Sequence, residues 1–127
     1  MKKKNLISLV AAILVAGLNA SCYYDEVASF EGLPTNVSLK NDVQPIFNRD
    51  CNMSGCHDGI PSHAPSLTPE NAYSDLTSGG YINTQDPVNS VLYLSVNGGG
   101  MPAGRAPLSV NDLKLIEAWI TEGAKNN

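Results

Sequence analysis

The chain has 127 residues, with 12 acidic against 8 basic side chains, a formal net charge of −4 and three cysteines. This length allows one small domain, and the acidic balance argues against nucleic acid as a partner, because phosphate binding relies on Lys and Arg. A protein of this kind is better suited to a basic protein partner or a small redox donor, met through salt-sensitive association.

The first 21 residues read as a secretory signal peptide: "MKKK" is a basic start, "LISLVAAILVAGL" is apolar, and small residues follow in "NASC". The apolar run falls short of the about 20 residues that a spanning helix needs. Ala20 and Ser21 directly before Cys22 resemble a bacterial lipobox, although Leu18 lies one place further from the cysteine than that pattern puts it. Cys22 is therefore the expected lipidation site, giving an exported protein, periplasmic or outer-surface, anchored to a bacterial membrane. The alternative is an ordinary signal peptide with a stray cysteine. Removing residues 1–21 with their three lysines moves the net charge to −7.

Residues 22–38 lack sustained periodicity and read as a tether, with Phe30 and Leu33 packing down at its end. The domain proper is expected over residues 39–127. Four short helices are expected within it. In "NDVQPIFNRDC", Val43, Ile46 and Phe47 share a face, with Asn41 or Asp42 as cap and Pro45 in the first turn. "TPENAYSDL" starts with Thr68 as cap and Pro69 behind it. "DPVNSVLYLSV" repeats that grammar with Asp86 and Pro87, turning Val88, Val91, Leu92 and Val96 inward. "SVNDLKLIEAWITEG" opens with Ser109 and Asp112 in a capping-box relation and closes at Gly123. Its inward face is Val110, Leu113, Ile116, Trp119 and Ile120. Loops rich in Gly and Pro separate the helices, and no strand alternation is visible. An all-α domain with long loops suits a chain wrapped around a large prosthetic group.

The chemistry concentrates in "CNMSGCH", Cys51 to His57. Haem attachment uses C-x-x-C-H, and here four residues separate the cysteines. Two thiols add to the two vinyl groups of the porphyrin, and the histidine after the second thiol comes to lie beneath the iron. Cys56 and His57 supply that adjacency, while Cys51 needs only to reach the other vinyl group. Ser54 and Gly55 are small enough to let the longer loop bulge. A structural Cys51–Cys56 disulfide is an alternative for an exported protein, but so short a loop stabilises little. A zinc site of Cys51, Cys56, His57 and His63 is disfavoured, because adjacent Cys56 and His57 would struggle to face one tetrahedral ion.

An electron-carrying haem iron needs a sixth ligand, and Met101 in "GGGMPAG" is the candidate. It lies in a glycine loop, whereas a methionine that fills a core normally lies on a helix face. Met53 sits inside the attachment loop, and His63 follows His57 too closely, so His63 is expected at the surface.

On "VQPIFNRDC", "GCHDG", "APSLT", "NSVLYLSV", "GGMPAG" and "LSVNDLKLIEAWITEGAKNN", in that order, residues 40–127 resemble a small bacterial class I c-type cytochrome. The kind is the single-haem cytochrome found on exported lipoproteins of Bacteroidota-like bacteria. The resemblance implies a cytochrome c-like fold of about four helices around one haem c, with thioethers from Cys51 and Cys56 and axial bonds from His57 and Met101. It also implies that the Pro65 carbonyl accepts the second N–H of His57, that Leu67 packs on the ring edge, and that Tyr93 and Trp119 line the pocket. The four-residue spacing departs from the family. The expected function is one-electron transfer by a membrane-tethered carrier that is not itself an enzyme, with redox proteins as partners. A haem-based sensor or peroxidase-like protein and a non-haem lipoprotein remain as alternatives. Asp42, Asp50, Asp58, Glu117 and Glu122 are the acidic residues that could face a basic partner.

Overall fold

A computed structural model of the chain describes residues 32–60, 63–98 and 100–127. The expected signal peptide, the expected lipidation site at Cys22, and Phe30 lie outside the described residues. Residues Gly32–Asn127 form one compact unit. Every regular element among the described residues is helical, in agreement with the all-α expectation.

The first helix starts earlier than its apolar face suggests. A π-helical turn, Leu39–Val43, runs directly into α1, Gln44–Asp50. The cap is Ser38 rather than Asn41 or Asp42: its hydroxyl accepts from the Asn41 N–H at 3.2 Å. Asp42 answers by accepting from the Ser38 N–H at 2.7 Å. Two otherwise orphaned donors are thus satisfied reciprocally. Val43, Ile46 and Phe47 are buried together as expected.

Helix α2, Ala72–Ser78, starts later than Pro69. The Thr68 carbonyl, and not its side chain, receives the chain there, accepting from Asn71 at 3.1 Å and Ala72 at 2.8 Å. Pro87 opens a 3₁₀ turn, Pro87–Asn89, and a new helix α3, Val91–Val96, begins after Ser90. This break corrects the expected inward face. Leu92 and Val96 are buried, four residues apart, but Val88 and Val91 are about half exposed because the turn takes them off the helical stripe. Ser90 is buried and holds the preceding loop, its hydroxyl accepting from the Asn83 N–H at 2.8 Å.

Helix α4, Val110–Thr121, follows the sequence most closely. The Ser109 hydroxyl accepts from the Asp112 N–H at 3.1 Å and donates to the Asp112 carboxylate at 2.7 Å. At the far end the Ala124 N–H donates to Trp119 and the Gly123 N–H to Ile120, the two bonds of a Schellman stop. Ile116, Trp119 and Ile120 are fully buried and Leu113 packs against the core. Val110, in the first helical position, projects beyond the core and is 68% exposed.

Helix α4 packs against the π-helical turn, the 3₁₀ turn and α3, and Trp119, Phe47, Leu76 and Ile116 are the largest enclosed side chains of the core. Packing also reaches further upstream than residue 39. Val37 is buried, and the N–H groups of Asn36 and Val37 donate to the Glu122 carboxylate at 2.6 and 2.9 Å. The carbonyl of Asn127 accepts from the Ser38 hydroxyl and the Lys40 N–H at 2.8 and 2.9 Å. Residues 36–38 are therefore part of the packed domain rather than of a tether, and Leu33 stays at the surface.

Candidate functional site

The attachment-like loop follows directly from the end of α1. Its extra length is taken up by a β-turn in which the Cys56 N–H donates to the Met53 carbonyl at 2.8 Å. Gly55 occupies the third position of that turn with φ +79°, a conformation that side-chain-bearing residues rarely adopt. Its N–H donates to the Asp58 carboxylate at 3.0 Å. With the chain folded back, the His57 N–H reaches the Cys51 carbonyl at 3.1 Å. A four-residue spacer thereby brings Cys51 back to His57.

His57 is held against the next loop from two directions. Its carbonyl accepts from the Leu67 N–H at 2.8 Å, and its Nδ1 lies 2.8 Å from the Pro65 carbonyl and 3.1 Å from that of His63. Carbonyl oxygens only accept, so Nδ1 carries the proton and donates. The lone pair of the neutral ring is then on Nε2, the nitrogen left for a ligand. The receiving loop is itself braced. The Leu67 carbonyl accepts from Gln44 Nε2 at 2.9 Å and Asn52 Nδ2 at 3.2 Å. The Ser66 N–H donates to Asp75 at 2.9 Å.

Around these groups lies a partly open cavity of about 550 Å³ with mostly apolar walls. Cys51, Cys56 and His57 line one part of it, and His63, Pro65 and Leu67 continue that wall. Tyr81 with Leu92, Ser95 and Val96 of α3 form another, and Met101, Pro102 and Arg105 complete the lining. Residues up to 55 positions apart in the chain, Asp50 to Arg105, meet at one space. Met101 is 42% exposed and its N–H is tied to the Ser95 carbonyl at 3.1 Å. Met53 is not in the lining.

Two expected pocket residues sit elsewhere. Trp119 is fully enclosed in the core, its indole N–H donating to the Lys125 carbonyl at 2.9 Å. Tyr93 is half-buried beside Glu117, and burial, with the bond to that carboxylate, raises the pKa of its phenol. Neither lines the cavity. An aromatic residue on an amphipathic helix carries the same sequence signal for core and for pocket, and here the core took both. Tyr81, Leu92 and Val96 line the wall instead. Val96 and Leu92 were legible as inward-facing residues, but nothing near Tyr81 in sequence marked it. His63 is exposed and also borders the cavity, on the side where its own carbonyl meets His57.

The two cysteines are free thiols in different surroundings, Cys51 buried and Cys56 exposed. Burial, with the nearby Asp50 carboxylate, pushes the Cys51 thiol from 9.0 up to about 11 against the opposing pull of Arg49 and Arg105. Folding therefore favours the neutral thiol. That contribution is complete below about 9 and is lost as the pH rises toward about 11. Among the described residues, no group of three or more His, Cys, Asp and Glu side chains gathers to hold an ion by protein ligands alone.

The five acidic residues that could face a partner all have work inside the chain. Asp42 caps the first helix, Asp58 holds Gly55, Glu122 binds residues 36 and 37, and Glu117 binds the Tyr93 hydroxyl. Asp50 pairs with Arg49 at 2.6 Å and with Arg105 at 3.6 Å.

The donor set suits a haem. The cavity lies within the about 300–1,000 Å³ usual for cofactor sites, its walls are apolar, two thiols border it, and a histidine with its Nε2 lone pair and a methionine thioether share it. Comparison with family models, curated proteins and solved structures finds no match for this chain.

Proposed function

We propose that the chain is a single-haem c-type cytochrome that passes one electron at a time while tethered to a bacterial membrane through lipid on Cys22. The observation that carries this reading is the convergence of Cys51, Cys56, His57 and Met101 on one apolar-walled cavity, together with the hydrogen bond that leaves Nε2 of His57 for a metal. Bound there, haem would supply a one-electron iron couple that no amino-acid side chain provides.

The protein's own part is to hold and to tune. Cys51 and Cys56 would each form a thioether, and His57 would give one axial bond. The Pro65 carbonyl keeps the imidazole in one tautomer and orientation and makes it a better donor. Met101 would give the second axial bond, and a thioether there favours the reduced iron and a relatively high potential. Tyr81, Leu92 and Val96 would exclude water from the ring face. A redox protein with a basic surface is the proposed partner, drawn by the net negative charge of the exported chain.

Met101 is 42% exposed, and this favours one second reading: a haem protein that releases Met101 and binds a small molecule. Expression with haem-maturation machinery tests both. Haem staining that survives on a denaturing gel is the expected result, with no carbon monoxide binding by the reduced protein. An unstained band would sink the haem reading, and strong carbon monoxide binding would favour the sensor.

A further inference from the structure

Two loops that each carry a methionine meet through one side chain. Arg105 closes a turn in which its N–H donates to the Pro102 carbonyl at 3.3 Å. From there its guanidinium reaches back to the attachment loop. One terminal nitrogen donates to the Met53 sulfur and the other lies 3.6 Å from Oδ1 of Asp50. Asp50 is itself set in place, because its other oxygen is held by Arg49, which in turn pairs with Asp112 at 2.9 Å.

Met53 has no other evident purpose. It is 40% exposed, belongs to neither the core nor the cavity lining, and lies in a spacer two residues longer than C-x-x-C-H requires. The loop from Met101 to Arg105 is thus fastened at one end to the Ser95 carbonyl and at the other to the enlarged attachment loop.

Resting on the haem reading above, we propose that Arg105 is a positioning residue: it clasps the Met101 loop to the attachment loop through Met53 and Asp50. The clasp sets how readily Met101 yields its place on the iron to another ligand. The planar guanidinium suits this role, since it engages a sulfur and a carboxylate at once in fixed directions. Each contact is half-exposed and weak by itself, so the clasp governs the ease of local opening rather than overall folding. The longer spacer then has a use, which is to present Met53 to Arg105.

The test uses the haem-loaded full chain and imidazole as the competing ligand for the ferric iron. In Arg105→Gln, imidazole should bind the haem-loaded chain about tenfold more tightly, a change of about 1.4 kcal/mol. Met53→Leu, at a half-exposed position, should show a smaller rise, and the double variant should equal Arg105→Gln alone. Unchanged affinity in Arg105→Gln, or effects that simply add in the double variant, would overturn the clasp. If Arg105→Gln takes up no haem, Met53→Leu decides, and wild-type affinity there overturns the proposal. A wild-type chain without covalent haem overturns the haem reading and the clasp together, whereas loaded variants with unchanged affinity overturn the clasp alone.

Discussion

At the scale of the residue, the site depends on which atom of each side chain is occupied. His57 illustrates this, because two carbonyls take its Nδ1 proton and so decide which nitrogen remains as a donor. Met101 and Met53 are chemically identical and nearly equally exposed, yet only Met101 borders the cavity. Met101→Ala should therefore keep covalent haem but open the iron, so that the reduced protein binds carbon monoxide. Absorption spectra before and after the gas would record this, and an unchanged spectrum would remove Met101 from the site. His57→Ala should be more severe, with haem incorporation itself reduced on a stained gel. Normal incorporation in that variant would place the proximal bond elsewhere.

At the scale of the element, helix ends explain both the agreements and the corrections. The Ser109 and Asp112 pair was legible because capping chemistry is local: three residues apart, the two side chains meet whatever the rest of the fold does. Ser109→Ala should cost about 1 kcal/mol, lowering the melting temperature of the loaded domain by roughly 4–8 °C. A calorimetric melt would measure the shift, and an unaltered transition would mean that Asp112 is held by Arg49 alone. The Ser38 cap is equally local, with Asn41 and Asp42 as its partners, but the apolar face in the sequence starts only at Val43. What carries the packing further upstream is the hold of distant Glu122 and Asn127 on Val37 and Leu39. Periodicity places Val88, Val91 and Val110 inward because it assumes an unbroken helix with a partner along its whole length. A 3₁₀ turn breaks the first segment, and the second has outrun its partner at Val110.

At the scale of the whole molecule, a partly open, mostly apolar-walled cavity of about 550 Å³ turns apolar side chains toward water in a domain with little core to spare. Trp119, Phe47, Leu76 and Ile116 are enclosed in the core and line none of this cavity, whereas His57 and Met101 border it. Haem would supply the apolar area between them. The haem-free chain is accordingly expected to lose a cooperative thermal transition by circular dichroism, with ligand-linked stability restored on loading. A sharp melt in the haem-free chain, at the temperature of the loaded one, would show that the helices need nothing in the cavity. Residues 36–38 clasped by Glu122 and Asn127 give the loaded domain a closed circuit from its first packed residues to its last.

What the sequence by itself determined is what neighbours in the chain can decide: the helical class, the caps and stop of α4, the adjacency of Cys56 to His57, and the glycine that lets the spacer turn. Those features depend on backbone geometry and on side chains within about one helical turn of each other. Only the tertiary structure decided that Tyr81 rather than Tyr93 or Trp119 forms the cavity wall and that Arg105 spans the two loops. These outcomes turn on which surfaces remain after the largest apolar side chains have been buried. That competition is settled among all the helices together, so no single stretch of sequence records its result.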